Sequence, residues 1–222
     1  VSGLVIGLFN GFCISRLGMV PFIVTMSVMI VNTGLSTWIA RAGSLGGFPR
    51  MFLRISKIQI GFIQFPIFLT IIIFIFAYFI MNRSYIGRML YATGVNETAA
   101  RICGIKTKRF ILFSYAIGGF FAALAGIIMT SRMGVAAPSL ARESVVLDYI
   151  SAAVIGGVSI YGGKGTINGA IIGAIFITAI NNSMNLLGVD YQTILIMKGL
   201  ILIFIVGMEK VKIKLPSAAI SK

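Results

Sequence analysis

The stretch IQIGFIQFPIFLTIIIFIFAYFIMN, Ile58 to Asn82, runs 25 residues without an Asp, Glu, Lys, Arg or His. A bilayer core about 30 Å thick needs roughly 20 apolar residues per helix, so this run is long enough to cross one. Three more charge-free runs of that length lie at Leu17 to Ala40, Phe110 to Ser131 and Gly165 to Val189. The whole chain of 222 residues is 58% hydrophobic and 11% charged, with a mean hydropathy of +1.02, whereas soluble domains carry about 25% charged residues. The fold class expected is therefore all-α: a polytopic transmembrane helical bundle with about seven spans. They are placed at 1–15, 20–40, 60–81, 110–130, 145–161, 166–187 and 191–208, the first and fifth being the weakest. Pro21 and Pro66 fall where a missing backbone N–H costs least, near helix starts.

A net charge of +14 would fit nucleic acid if the cations shared one solvated face. Instead they occupy the gaps between apolar runs, where Lys and Arg set orientation or meet lipid headgroups. Alternating the spans puts twelve cations on the side of the Arg83–Arg109 loop and the tail from Glu209. They are Arg16, Arg83, Arg88, Arg101, Lys106, Lys108, Arg109, Lys164, Lys210, Lys212, Lys214 and Lys222. Six fall opposite: Arg41, Arg50, Arg54, Lys57, Arg132 and Arg142. The excess makes the Arg83 side cytoplasmic and the Arg41–Gln59 loop external.

Two cysteines ninety residues apart, Cys13 and Cys103, and no histidine leave no metal-ligand spacing and no disulfide framework. The expected metal and cofactor sets are both empty. The glycine-rich IGGVSIYGGKGT stretch fails as a phosphate-binding loop, because Val158 stands where the first Gly is needed and Gly165 where Ser or Thr is needed. It reads as a tight turn. With no His and no acid at mid-span, no acid/base or nucleophile pair is found, and enzyme activity is not expected. The chain starts at Val1 with no basic segment before the apolar run, which reads as a start inside a helix with no signal peptide.

Small residues one turn apart mark faces for close helix packing: Gly3, Gly7 and Gly11; Gly118, Ala122 and Gly126; Gly169 and Gly173. Thr178, Asn181, Asn182 and Asn185 fall at i, i+3, i+4 and i+7, a polar stripe on a membrane helix. Asn32 and Ser36, with Thr25, repeat it more weakly. Such a stripe either bonds neighbouring helices or lines a wet path. Uncharged amides and hydroxyls suit a neutral, hydroxyl-rich solute better than an ion. Lys198 is the one charge well inside a span, and snorkelling to the interface is the expected behaviour. Asp148 is expected to be steadied by a helix N-terminus.

The loop GRMLYATGVNETAARICGIKTKRF, Gly87 to Phe110, reads as a short capped helix. Asn96 caps it, Glu97 favours its positive end, Ala99, Ala100, Ile102 and Cys103 form a small apolar face, and Gly104 stops it. Arg101 and those small residues suit docking in a groove of another protein.

At this loop the chain resembles the ribose-type sugar permeases of bacterial ABC transporters, which include ribose, xylose, arabinose and galactose importers. The likeness is carried by FNGFCISRLGMVPFIVTMSVMIVNTGL (Phe9 to Leu35), GRMLYATGVNETAARICGI (Gly87 to Ile105), LDYISAAVIGGVSIYGGKGTINGAIIGA (Leu147 to Ala174), NNSMNLLGV and IMKGLILI. The resemblance implies one permease domain over residues 1–222, short of the first helices usual in the family, in the bacterial cytoplasmic (inner) membrane. It implies a segment at 87–110 that couples to a cytoplasmic ATP-binding subunit through Asn96, Glu97, Ala99, Ala100, Arg101 and Gly104. The partners it implies are that subunit, an extracytoplasmic sugar-binding protein and a second permease copy, as homodimer or paralogue. The path residues would be Asn32, Ser36, Thr178, Asn181, Asn182 and Asn185. The alternatives are a secondary transporter or channel for a small polar solute, which needs no ATPase, and a membrane scaffold, whose polar stripes serve only packing.

The orientation is checked by single cysteines at Thr93 and Ser44, with an impermeant thiol reagent added to intact cells. Ser44→Cys is expected to label and Thr93→Cys to stay unlabelled until the membrane is permeabilised. Labelling of Thr93→Cys from outside would overturn the topology.

Overall fold

The computed structural model describes residues 1–41, 43–60, 63–138, 143–160 and 162–214, and there the chain is all-α apart from one hairpin of two-residue strands. Ala42, Tyr161, Arg142 and the tail beyond 214 with Lys222 lie outside the described residues, as do the side chains of Glu209, Lys210, Lys212 and Lys214. Contacts divide the chain into two units, Val1–Ala141 and Arg142–Lys222.

In the first unit α1 (Ser2–Leu17) stops at Gly18, whose φ of 68° a side chain would resist. Helix α2 (Pro21–Ile39) has its proline in the first turn. A short α3 (Arg50–Arg54) follows, then β1 (Gln59–Ile60) and β2 (Ile63–Gln64), paired antiparallel. Helix α4 (Phe65–Arg83) comes next with Pro66 in its first turn, followed by α5 (Tyr85–Val95), α6 (Glu97–Ile102) and α7 (Thr107–Met133). The second unit holds α8 (Glu143–Ile155), α9 (Ile167–Leu186) and α10 (Tyr191–Lys214).

Among the described residues four helices, α2, α4, α7 and α9, are long and apolar enough to cross a membrane by length and composition. They correspond to the expected spans 20–40, 60–81, 110–130 and 166–187. At 1.5 Å per residue the 27 residues of α7 reach about 40 Å, beyond the hydrocarbon core, while the 13 of α8 reach about 20 Å and fall short. The expected spans 1–15, 145–161 and 191–208 fall on α1, α8 and α10, whose apolar stretches Ser2–Leu17, Val145–Ile155 and Tyr191–Ile201 are shorter. Helix α4 begins five residues after the expected 60, because the chain ahead of Pro66 turns back on itself in the hairpin.

Glycines set the closest packing in each unit. A Cβ built on Gly11 would lie 2.9 Å from Leu112 Cα, and one on Gly7 would lie 3.0 Å from Ala116 Cα; Gly3 meets Gly119 and Ala123. α1 and α7 therefore cross antiparallel with their backbones in contact. The face of α7 that does this carries Leu112, Tyr115, Ala116 and Gly119. Of the expected Gly118, Ala122 and Gly126 face, neither glycine has anything within 4 Å of a built Cβ, and Ala122 is exposed. Adjacent glycines at 118 and 119 lie 100° apart on a helix, so only one can face α1.

Both ends of α7 are tied by buried hydroxyls. Ser131, 1% exposed, donates to Phe52 O at 2.7 Å and accepts from Ser56 N–H at 3.2 Å. Leu45 and Ala136 exchange backbone bonds of 2.8 and 2.9 Å. The 41–59 loop is thus held against the C-terminal end of α7. At the other end Thr107, 2% exposed, donates to Glu97 Oε1 at 3.3 Å.

Gly119→Val drives a branched side chain into the α1 backbone and is expected to cost at least about 3 kcal/mol, with loss of most monodisperse protein after detergent extraction. Gly118→Val, one residue away with open space around it, is expected to extract normally. Equal yields from the two would show that the α1–α7 crossing does not govern folding.

Candidate functional site

The 87–110 segment is two helices with a break. Ser84 caps α5: it accepts from Gly87 N–H at 3.3 Å and donates to Ile80 O at 2.6 Å. The chain then breaks at Asn96, whose φ of −157° and ψ of 106° are extended. Its Oδ1 accepts from Ala99 N–H at 3.0 Å, the capping bond expected from the sequence. Gly104, at φ 82°, ends the segment in the left-handed conformation that glycine adopts at least cost. α5 itself was not among the expected elements, although Ser84 is a residue type that favours the N-cap position it holds.

The apolar residues of α6 divide between two faces. Ala100 is 5% exposed, packed within the chain, while Ile102 is 83% exposed. Thr98, Ala99 and Cys103 are exposed too. At 100° per residue Thr98, Ala99 and Ile102 share the outer face and Ala100 lies opposite. The expected single face of Ala99, Ala100, Ile102 and Cys103 is corrected accordingly. Between the two faces Glu97 accepts from Arg101 Nη2 at 2.7 Å and also from Thr107. The Arg101–Glu97 pair is well exposed, with side chains 60% and 43% open, so it adds little stability and serves mainly to set side-chain direction.

The second unit holds a polar cluster built on α8, α9 and α10. Thr166 caps α9 by accepting from Gly169 N–H at 3.1 Å. A Cβ on Gly156 would lie 2.7 Å from Ala170 Cα, and Gly173 meets Ala152 and Gly156 N, the latter at 2.8 Å. Gly156 thus faces Gly169 and Ala152 faces Gly173, so each four-residue step back along α8 matches a step forward along α9. The next positions on those ridges are Asp148 and the turn from Ile177 to Asn181. Asn181 Nδ2 donates to Asp148 Oδ2 at 3.2 Å, and Lys198 Nζ donates to the same oxygen at 2.9 Å. The Lys198 and Asp148 side chains are 15% and 21% exposed. Lys198 therefore pairs inside the unit in place of the expected snorkelling, and Asp148 gains a cation and an amide as side-chain partners.

The remaining stripe residues point elsewhere. Thr178 donates to Ala174 O at 2.7 Å, and Asn185 Nδ2 to the Asn181 backbone carbonyl at 2.8 Å. With Asn182 they form an exposed polar face of α9. On α2, Ser36 donates to Thr33 O at 2.9 Å, and Asn32 is half-buried. Asn32 and Ser36 belong to the first unit and the α9 residues to the second. Among the described residues no three His, Cys, Asp or Glu side chains gather as metal ligands would.

The profile of the family described as branched-chain amino acid transport system / permease component matches residues 1–206. The ribose import permease protein of Bacillus subtilis is 38% identical over 209 residues, covering 91% of this chain and 63% of that protein. The D-allose transport system permease protein of Escherichia coli is 35% identical over 198 residues, covering 89% and 60%. The galactose/methyl galactoside import permease protein of Escherichia coli is 33% identical over 220 residues, covering 95% and 64%. The chain thus spans less than two thirds of the length of these relatives. No solved structure matches it significantly.

Asp148→Leu alone leaves the Lys198 ammonium without its anion in a mostly buried site. The expected loss is about 3–5 kcal/mol, read as a fall in the thermal unfolding midpoint of the detergent-purified protein. An unchanged midpoint would mean that Lys198 finds water without Asp148.

Proposed function

The chain belongs to the family of branched-chain amino acid transport system / permease components, and on that premise we propose that it forms the membrane path of an ATP-driven sugar importer. Its place is the bacterial inner membrane. It does no bond chemistry itself; ATP is hydrolysed on a separate cytoplasmic subunit, and an extracytoplasmic binding protein delivers the solute. Sugar is favoured by the relatives, which are named as ribose, D-allose and galactose/methyl galactoside permease proteins. The path residues are Asn32, Ser36, Thr178, Asn181, Asn182 and Asn185, hydroxyls and amides that match a solute rich in hydroxyls. A second permease copy completes the path.

The observation that carries the coupling role is the outer face of α6. Ile102, 83% exposed, and Val95, 71% exposed, stand on a connecting segment too short and too polar to cross a membrane, beside Thr98 and Ala99. A face like this fits a groove on the ATP-binding subunit. Asn96 and Gly104 bound the helix, and Glu97 with Arg101 and Thr107 fixes its direction. Ala100 acts from inside by seating α6 on the chain. Alternating access then requires that the ATP-binding subunit hold α6 differently when open and closed.

A second reading, an amino acid as solute, is favoured by the family description itself. Uptake of labelled ribose, allose, galactose and leucine into membranes that also contain the ATP-binding and solute-binding subunits separates the two.

Ile102→Glu puts a carboxylate into the proposed contact, where burial without a partner is costly. The variant is expected to reach the membrane in normal amount yet to co-purify at least about tenfold less ATP-binding subunit and to lose uptake. Normal co-purification and uptake would make α6 a solvated connector. Ala100→Glu is expected to lose both by unseating α6.

A further inference from the structure

We propose that Asp148, Lys198 and Asn181 together form a hydroxyl-binding point for the transported solute; this rests on the sugar-permease reading and adds two charged residues to its path.

Three features of the cluster carry the proposal. First, packing does not account for the pair. An ion pair in a mostly buried site gains no more stability than well-packed apolar residues of the same volume, and in a membrane its desolvation is harder to offset. Second, the cluster is not saturated. Asn181 Oδ1 is fully buried and has no hydrogen-bond partner, although its Nδ2 is committed to Asp148. An orphaned amide oxygen calls for an O–H or N–H donor. Third, the cluster is at the edge of a polar surface. Asn182 follows Asn181 in sequence, and Thr178 and Asn185 stand three residues before and four after, all exposed. Asp148 and Lys198 keep 21% and 15% of their side-chain surface open.

The chemistry of the three groups selects the ligand class. Carboxylate and amide oxygens accept from hydroxyls, and an ammonium donates to them. Because Lys198 and Asp148 neutralise each other at 2.9 Å, the cluster carries no net charge to attract an ion. A neutral polyol can bridge such acceptors and donors without leaving a charge uncompensated. An incoming hydroxyl that donates to Asn181 Oδ1 also satisfies the acceptor that the cluster leaves empty.

Two variants test the proposal in membranes containing the ATP-binding and solute-binding subunits. Asp148→Leu with Lys198→Met removes both charges at once, and Asn181→Leu removes the orphan oxygen. Both are expected to be present in normal amount, to retain the ATP-binding subunit, and to lose at least about tenfold of sugar uptake, the loss expected for one or two charge-assisted hydrogen bonds. Uptake within about twofold of the parent in either variant overturns the proposal, as does failure of both to assemble, which would make the cluster a packing element. If the parent takes up a sugar and the variants do so equally, only this proposal falls. If the parent takes up leucine and no sugar, the permease reading falls first and this proposal with it.

Discussion

Direct contact between helix backbones is the constraint on which the rest of this structure depends. Lipid tails are as apolar as leucine, so helices in a bilayer gain little by burying apolar surface against each other. They associate through close van der Waals packing and polar bonds. Gly3, Gly7 and Gly119 let α1 and α7 touch, and Gly156, Gly169 and Gly173 do the same for α8 and α9. Glycine weakens an isolated helix by about 1 kcal/mol relative to alanine. Here the missing Cβ is what admits the neighbouring backbone. The Asp148 cluster follows from that contact, because the ridge carrying Gly156 and Ala152 continues to Asp148. Asn181 reaches Asp148 only when the two helices are this close.

Helix α7 connects two regions of the first unit that differ in chemistry. Thr107, at its start, holds Glu97 of α6, and Ser131, near its end, holds the 50–56 stretch of the preceding loop. Between them run 23 residues of one uninterrupted helix, apolar or uncharged after Lys108 and Arg109. Both anchoring hydroxyls are almost fully buried, where an exchange with water is costly. α6 and the 50–56 stretch are thus bonded to opposite ends of one helix. Small hydroxyl side chains suit this use, since each satisfies backbone or carboxylate groups without adding a charge to the membrane boundary.

Span positions were legible because the membrane imposes a length that charges interrupt. The charges at Arg16, Arg41, Lys57, Arg83, Arg109, Arg132 and Lys164 that bound the apolar runs mark limits that physics makes costly to move. The caps at Asn96 and Gly104 were legible for a local reason, since a side-chain oxygen and a missing Cβ act within one turn. Pairings across the chain were not. Asp148 and Lys198 stand 50 residues apart, and each has a plausible local partner in sequence, a helix end for one and the lipid interface for the other. Nor could the choice between Gly118 and Gly119 be read, because both faces of α7 carry small residues and only the opposing helix decides. Ala100 was misplaced for the same reason: a small residue fits an outer docking face and an inner seat equally well.

The division of the α9 stripe separates a side chain that bonds a neighbouring helix from side chains that bond their own. Asn181 turns to Asp148 of α8, while Thr178 and Asn185 turn their donors onto their own helix backbone. A hydroxyl or amide bonded to a carbonyl of its own helix is held in one direction, yet its oxygen still has acceptor capacity. That leaves an outer row of acceptors that need no neighbouring helix to stay satisfied. A charged solute would gain little from such a row, since the Lys198 and Asp148 charges cancel and the rest are neutral dipoles. On the proposed reading, a solute with many hydroxyls, each able to donate and accept, would exchange its bonds with water for bonds to these groups one at a time, with no single position binding it tightly.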